Sequence, residues 1–390
     1  MIDYGIPLRP RDRLPIGTKE DRFRHFYCIG RTQSGKSVYL ANLLKQTLKY
    51  ATVIVDPYGG LARIIAALAP AGRLVYVDLR HPLVINPLTR YRSMTAAYEL
   101  FEIVNNAVLV TTSSKEFTVL MREILVEAIR IFREPGHFTF DYLYRFLTFS
   151  DVRQSHPVKN EYWSKFETRE QYEKQQSTKR VATRIHAFYN DEDLLPFVSG
   201  DDQFNLAEIA RDRKIVCFNF HGLKHDQLVF IGNAISSALV TYYRQFARER
   251  GDPLFVAFDE FHLFASRNFS QMLVEAAKYN ISVNLSNHSL SQLDRITVDT
   301  ALSCFTKAAF TCDHESSKRL SSEMGILPEA FRKLEPYQAY LQIGNETCLI
   351  DTFPPPEVEA YSSESASSPP ADETGSEPVY FLKEQGWFLI

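Results

Sequence analysis

Eight consecutive residues, Gly30-Arg31-Thr32-Gln33-Ser34-Gly35-Lys36-Ser37, fit the pattern G-x-x-x-x-G-K-[ST]. Each fixed position has a task in holding a phosphate chain. The glycines let backbone N–H groups close around phosphate oxygens. Lys36 is long enough to reach the β- and γ-phosphates, and the Ser37 hydroxyl is a Mg²⁺ ligand. With Val38 these residues open a helix, whose positive N-terminal end faces the same anion. The candidate phosphate-binding set is therefore Gly30, Arg31, Thr32, Gln33, Ser34, Gly35, Lys36, Ser37 and Val38.

A second chemical signal lies far downstream, where Leu254-Phe255-Val256-Ala257-Phe258 runs into Asp259-Glu260. An apolar strand ending in two acids is the Walker B arrangement. Asp259 is expected to hold Mg²⁺ through water, and Glu260 to polarise the attacking water. Two neighbouring carboxylates are costly without a cation, and a phosphate-binding loop brings one. Together the two motifs imply hydrolysis of a nucleoside triphosphate with Mg²⁺. The run Asp259-Glu260-Phe261-His262 also spells D-E-x-H. No other motif of the superfamily-2 helicases follows, so His262 is read as a coincidence.

Two other polar residues stand at the ends of strand-like runs. Asp56 follows the β-branched run 51–55, and a place beside the P-loop strand is expected for it. There it either touches the Mg²⁺ shell and the attacking water or caps the turn Asp56-Pro57-Tyr58-Gly59-Gly60. His288 follows the run 281–287, where it either senses the γ-phosphate or is a satisfied loop histidine.

The elements that must position these residues follow from periodicity. Residues 26–29 read as a buried strand and 38–49 as a helix with Leu40, Leu43, Leu44 and Leu48 on one face. A strand at 51–56, a helix at 61–68 and a strand at 74–79 continue a βαβ pattern, which implies a parallel sheet covered on both faces. Ligands bind such sheets at the carboxyl ends of the strands. From 94 to 190 the pattern turns helical: 94–110, 115–134, 138–149, 161–176 and 178–189. The last part carries Lys174, Lys179, Arg180 and Arg184, either a solvated face or a DNA or subunit contact. Strands resume at 214–220, 254–260, 281–287 and 306–312, with helices at 227–248, 271–279 and 313–324. A hairpin across Gly344-Asn345 closes the fold.

This gives an α/β fold class with a mostly parallel central sheet, an all-helical insertion and a C-terminal tail. The expected divisions are 1–88 and 201–353 for the two parts of the nucleotide-binding domain, 89–200 for the insertion, 354–378 for a linker and 379–390 for a terminal peptide. Residues 1–24, rich in Pro and Arg, either cover the base, pack on a neighbouring subunit or form a surface strap. The linker is Pro, Ser, Glu and Ala with almost no large apolar residue, a disordered composition. The segment Tyr380 to Ile390 is aromatic and either docks a protein partner or folds back on the domain.

Composition excludes several classes. The net charge of −3 leaves no globally basic surface, so any DNA contact is a local patch. The five cysteines are scattered, with no C-x-x-C, which argues against a zinc site or disulfide framework and for a reducing compartment. No apolar run is long enough to span a membrane, and the charged N-terminus lacks a secretory signal. A cytoplasmic location is expected.

The residues Arg24-His25, Gly30 to Ser37, Asp56-Pro57-Tyr58-Gly59, Asn86-Pro87-Leu88, Asp259-Glu260-Phe261 and Ser289-Leu290-Ser291-Gln292-Leu293 resemble, in order and spacing, the FtsK–HerA superfamily of ring ATPases. The branch they resemble is the coupling-protein type of type IV secretion and conjugation, with its HerA-like soluble relatives, over roughly residues 20–350. The resemblance implies a RecA-like motor domain, a homo-hexamer with ATP and Mg²⁺ at subunit interfaces, and DNA in a central channel. It implies Lys36 and Ser37 as phosphate and Mg²⁺ ligands, Asp259 as the Walker B acid and Glu260 as the base. His288 stands where the family usually has a sensor glutamine, and Gln33 where it has a small residue. Thr311 stands where relatives often carry an arginine, so an arginine acting on a neighbouring subunit's site is either elsewhere, with Arg184 and Arg319 as candidates, or missing. The membrane-spanning segment of coupling proteins has no counterpart, so recruitment to a membrane or capsid complex would need a partner such as a secretion channel, relaxosome or capsid. Two other functions fit these features: a viral genome-packaging ATPase of the same superfamily, and an ATP-binding switch or adaptor that recruits a partner through its C-terminal peptide.

Overall fold

In the computed structural model, the residues described are 24–357, apart from 71, 91–93, 112–118, 133, 247–252, 265–268, 271–272 and 274–275, together with Asp3 and Ile6–Pro7. The linker from 358 onward and the terminal peptide lie outside the described residues, as does most of the segment 1–24.

Among the described residues, ten strands form one sheet in the order β1-β10-β9-β8-β2-β7-β6-β3-β5-β4. They are β1 (Ile6–Pro7), β2 (Phe26–Ile29), β3 (Ala51–Asp56), β4 (Leu74–Val77), β5 (Ile215–Asn219), β6 (Leu254–Phe258), β7 (Ile281–Asn287), β8 (Thr306–Ala309), β9 (Gln338–Ile343) and β10 (Glu346–Asp351). The seven from β8 to β4 run parallel. The remaining three add an antiparallel edge. Asp3 exchanges hydrogen bonds with Gln46, and Ile6–Pro7 form the outer strand beside β10.

The parallel strands are buried on both faces, and their side chains alternate between two hydrophobic clusters. Tyr27, Ile29, Val53, Val55, Val216, Phe218, Val256 and Phe258 point to one face. Phe26, Cys28, Ile54, Ile215, Cys217 and Ala257 point to the other. This period of two is what a sheet covered on both sides requires. The second face is covered by α1 (Lys36–Lys45) and α2 (Gly60–Leu68), through Leu40, Leu44, Leu61 and Ile65. The first is covered by the helix His225–Phe246, which packs along Met94–Thr111. Phe101, Phe146, Trp163 and Ile185 from the helices between β4 and β5 extend that same cluster.

Several expectations are corrected. Strand β3 is not beside the P-loop strand: β7 and β6 lie between them. A right-handed crossover can skip strands, and the chain returns later to fill the gap. The helical break expected near residue 177 falls instead at 168–170, with one helix over Glu161–Glu167 and another over Gln171–Tyr189. Thr168 and Arg169 close the earlier helix by bonds to the Lys165 and Phe166 carbonyls, while Thr178 is buried in mid-helix. In the stretch expected as a helix at 271–279, a 3₁₀ turn covers Ala276–Tyr279. Among the described residues no helix is long and apolar enough to cross a membrane.

Candidate functional site

Four strand ends converge on one edge of the sheet. Ile29 pairs with Asn287, Phe258 with Leu285, and Val55 with Phe258. The residues that follow β2 and β6, and the last residues of β3 and β7, therefore stand side by side. They are Gly30, Asp259-Glu260, Asp56 and Asn287-His288.

The loop 30–35 is held by its neighbours. Gly30 N–H donates to the Asn287 carbonyl at 3.3 Å, Arg31 N–H to Thr311 at 2.8 Å, and Tyr337 N–H to Ser34 at 3.0 Å. The position where an arginine was sought, Thr311, thus serves the loop with its backbone. Gly30 is obligatory: a Cβ there would lie 2.5 Å from the Phe310 Cβ and 2.9 Å from the Ser34 Oγ. Gly35 has φ 105° and Gln33 φ 63°. The first suits glycine, whereas Gln33 accepts a left-handed conformation that side chains disfavour. Thr32 is exposed and Val38 half-buried on the first turn of α1. No side chain caps α1, so its N-terminus faces the loop, as an anion site needs.

Lys36 is buried beneath the loop. Its Nζ donates to the Gly30 carbonyl at 2.6 Å, to the Arg31 carbonyl at 3.1 Å and to His288 Nδ1 at 2.9 Å. On the far side of the ring, His288 Nε2 lies 2.9 Å from Glu260 Oε1. An ammonium can only donate, so His288 Nδ1 accepts and its proton sits on Nε2, directed at the carboxylate. Lys36, His288 and Glu260 thus form one chain of hydrogen bonds.

A second chain runs beside it. The Ser37 hydroxyl donates to Asp259 Oδ2 at 3.2 Å, and the buried Ser286 hydroxyl donates to Asp259 Oδ1. Asp259 and Glu260 are both buried, and among the described residues their side-chain partners are hydroxyls and imidazoles rather than Lys or Arg. Paired buried carboxylates of this kind call for a cation. Ser37 and Asp259 face each other with the oxygen donors Mg²⁺ prefers, so the residues present fit a Mg²⁺-nucleotide. Glu260 itself has φ 51° and ψ 49°. This left-handed conformation of a non-glycine residue turns its side chain toward His288, at a cost of order 1–2 kcal/mol.

Asp56 is a cap. Its Oδ1 accepts from Tyr58 N–H at 2.9 Å and Gly59 N–H at 2.8 Å, and its Oδ2 from Ala62 N–H at 2.9 Å. Burial, then the charge of Asp259, push its carboxyl up to about 6, against these three donors. Of its two expected roles, the contacts observed are those of the capping one. Tyr58 stands exposed on this turn, its hydroxyl pushed up by burial and by the charges of Glu260, Asp259 and Asp56.

Other predicted residues lie apart from this cluster in their contacts. Arg319 pairs with Asp299. Arg184 lies on the helix Gln171–Tyr189 with its guanidinium 3.3 Å from the Met121 sulfur. Asn86 ties the Pro87–Arg90 turn to Gly200 and Asp202. Sequence reasoning missed Ser286, Gln292 and His262. Gln292 accepts from the N–H groups of His288 at 3.1 Å and Ser289 at 2.9 Å. His262, read as a coincidence, lies with Nδ1 3.4 Å from Glu260 Oε2. Its place in D-E-x-H was the available signal.

Fold and site together define a P-loop nucleotide-binding α/β protein. The family model of the helicase HerA central domain matches residues 3–239, more than half of the chain, and the chain belongs to that family. No curated protein matches it in sequence. Among solved structures, plasmid coupling protein TrwB with a non-hydrolysable ATP analogue matches with TM-score 0.68 and 17% identity, over 94% of this chain and 96% of that one. TrwB with ADP and Mg²⁺ matches with TM-score 0.68 and 15% identity, over 93% and 96%. VirB4 of Thermoanaerobacter pseudethanolicus matches with TM-score 0.61 and 13% identity, over 85% and 90%. At these identities the likeness is one of fold.

Proposed function

We propose that this chain hydrolyses ATP with Mg²⁺ and uses the energy to move DNA. The observation that carries the reading is the convergence of Lys36, Ser37, Asp259, Glu260 and His288 at the carboxyl ends of β2, β6 and β7. Lys36 and the N–H groups of the loop hold the phosphates. Ser37 and Asp259 hold Mg²⁺, which when bound neutralises charge between the phosphates and the acids. Ser286 fixes the orientation of Asp259. Glu260 takes the proton of the attacking water. His288, bonded to both Lys36 and Glu260, reports to the base whether the lysine is engaged.

DNA as the cargo is supported by membership of a helicase central-domain family and by the fold shared with a conjugative coupling protein. We assign a ring of six copies, with nucleotide between neighbours. Docking to a secretion or packaging complex falls to the terminal peptide 379–390. With a net charge of −3, DNA affinity is expected to be modest and to fall steeply with salt. Lys36→Ala should abolish nucleotide binding. Glu260→Gln should keep binding and stop turnover, and normal hydrolysis by that variant would remove Glu260 as the base.

A further inference from the structure

We propose that His262, held in one tautomer by Gln292, is a positioning residue that aims the carboxylate of Glu260. The proposal rests on the reading of Glu260 as the base.

Gln292 sets the tautomer. Its Oε1 accepts two backbone N–H groups, those of His288 and Ser289. The amide orientation is thereby fixed, and its Nε2, a donor only, lies 3.2 Å from His262 Nε2. His262 Nε2 must then accept, so the ring proton is on Nδ1. That Nδ1 lies 3.4 Å from Glu260 Oε2. Among the described residues, this ring nitrogen and this carboxylate oxygen are both buried and neither has another hydrogen-bond partner. Each is the complement the other lacks, and a small rotation of either side chain closes the bond. Burial pulls the imidazole down to about 4, so it stays neutral near pH 7 and keeps this single-donor form.

The backbone that carries His262 is anchored by the residues on either side of it. Phe261 is fully buried, with its ring edge-on to Tyr27 at 6.0 Å. Phe264, at the end of the same turn, fills the space over Gly232, where a Cβ would come within 1.9 Å of its ring. Glu260 is therefore addressed from both sides. His288 directs an N–H at one oxygen, with its tautomer set by Lys36. His262 directs an N–H at the other, with its tautomer set by Gln292. The two partners differ in one respect: Lys36 leaves when phosphate arrives, whereas Gln292 stays. His262 is accordingly the constant half of the clamp, holding the carboxylate in place while His288 is released.

The test measures ATP turnover and ATP affinity separately in the full chain, with duplex DNA at low salt, for wild type, His262→Ala, His262→Asn, Glu260→Gln and the Glu260→Gln/His262→Ala double variant. The expected result is a kcat lowered about 10- to 100-fold in His262→Ala, with ATP affinity and KM within about twofold. His262→Asn, whose amide nitrogen takes the place of Nδ1, should recover most of the loss. The double variant should be no slower than Glu260→Gln. A wild-type kcat in His262→Ala beside an inactive Glu260→Gln would overturn this proposal and leave the base intact. So would a loss that appears equally in affinity and is not recovered by asparagine. Full activity of Glu260→Gln would instead overturn the reading of the base itself.

Discussion

Replacing His288 with leucine is expected to tighten ADP binding. The ammonium of Lys36 has three ligands: the carbonyls of Gly30 and Arg31 and the Nδ1 of His288. To reach a β-phosphate it must give them up, and each opposes binding. A hydrogen bond to a charged group has a net value of about 1.5–3 kcal/mol when buried. The His288 side chain is 33% exposed, so water competes for the same contact, and about 1 kcal/mol is the fitting discount. Leucine fills the imidazole's space, keeping Glu260 from replacing it, and offers no lone pair. At about 1.4 kcal/mol per tenfold, ADP should bind about fivefold more tightly. ADP is the right probe because it has no γ-phosphate for His288 to contact. Calorimetric titration of Mg·ADP into wild type and His288→Leu gives the comparison, while ATP turnover of the variant should fall. Unchanged or weaker ADP affinity would show that the lysine–histidine contact does not oppose binding, and would refute the reasoning.

Two further outcomes concern the fold around the site. Asp56→Ala leaves three backbone N–H groups of a buried turn without acceptors, and should lower stability by about 2–4 kcal/mol in urea unfolding; a loss below about 0.5 kcal/mol would contradict the capping role. His25 is pulled by burial from 6.5 to about 4, so the unfolded chain binds its proton at a pH where the folded chain does not. Its contribution is fully present above about pH 6.5 and is lost as pH falls toward 4. Asp56, raised to about 6, acts oppositely: its contribution is present below about pH 4 and lost as pH rises through 6. His25→Gln should flatten the decline in urea midpoint between pH 6.5 and 5, and an unaltered slope would contradict a neutral buried histidine.

What could be read from the chain beforehand was what lies contiguous in it. The loop Gly30 to Ser37 and the pair Asp259-Glu260 carry their chemistry within a few residues, on strands whose apolar runs mark them as buried. The parallel sheet followed from the strand–helix alternation for the same reason. The order of strands did not, because the position of β3 depends on which later segments slot between it and β2. The contacts of Ser286 and Gln292 could not be read because they exist only between segments far apart in the chain. Ser286 meets Asp259 from a neighbouring strand, and Gln292 meets His262 across 30 residues of chain. A serine in a strand and a glutamine in a turn carry no signal of their own. His262 did sit in a recognisable string, but its meaning depended on where the 3₁₀ turn Phe261–Leu263 aimed the ring.

The measurement that tests the central claim most directly is the ATPase rate of the full chain with and without duplex DNA at low salt, with Glu260→Gln as the blank. Mg²⁺-dependent hydrolysis should rise with DNA and vanish in the variant. Hydrolysis unmoved by DNA would contradict a DNA motor, and equal rates in wild type and Glu260→Gln would contradict the site itself.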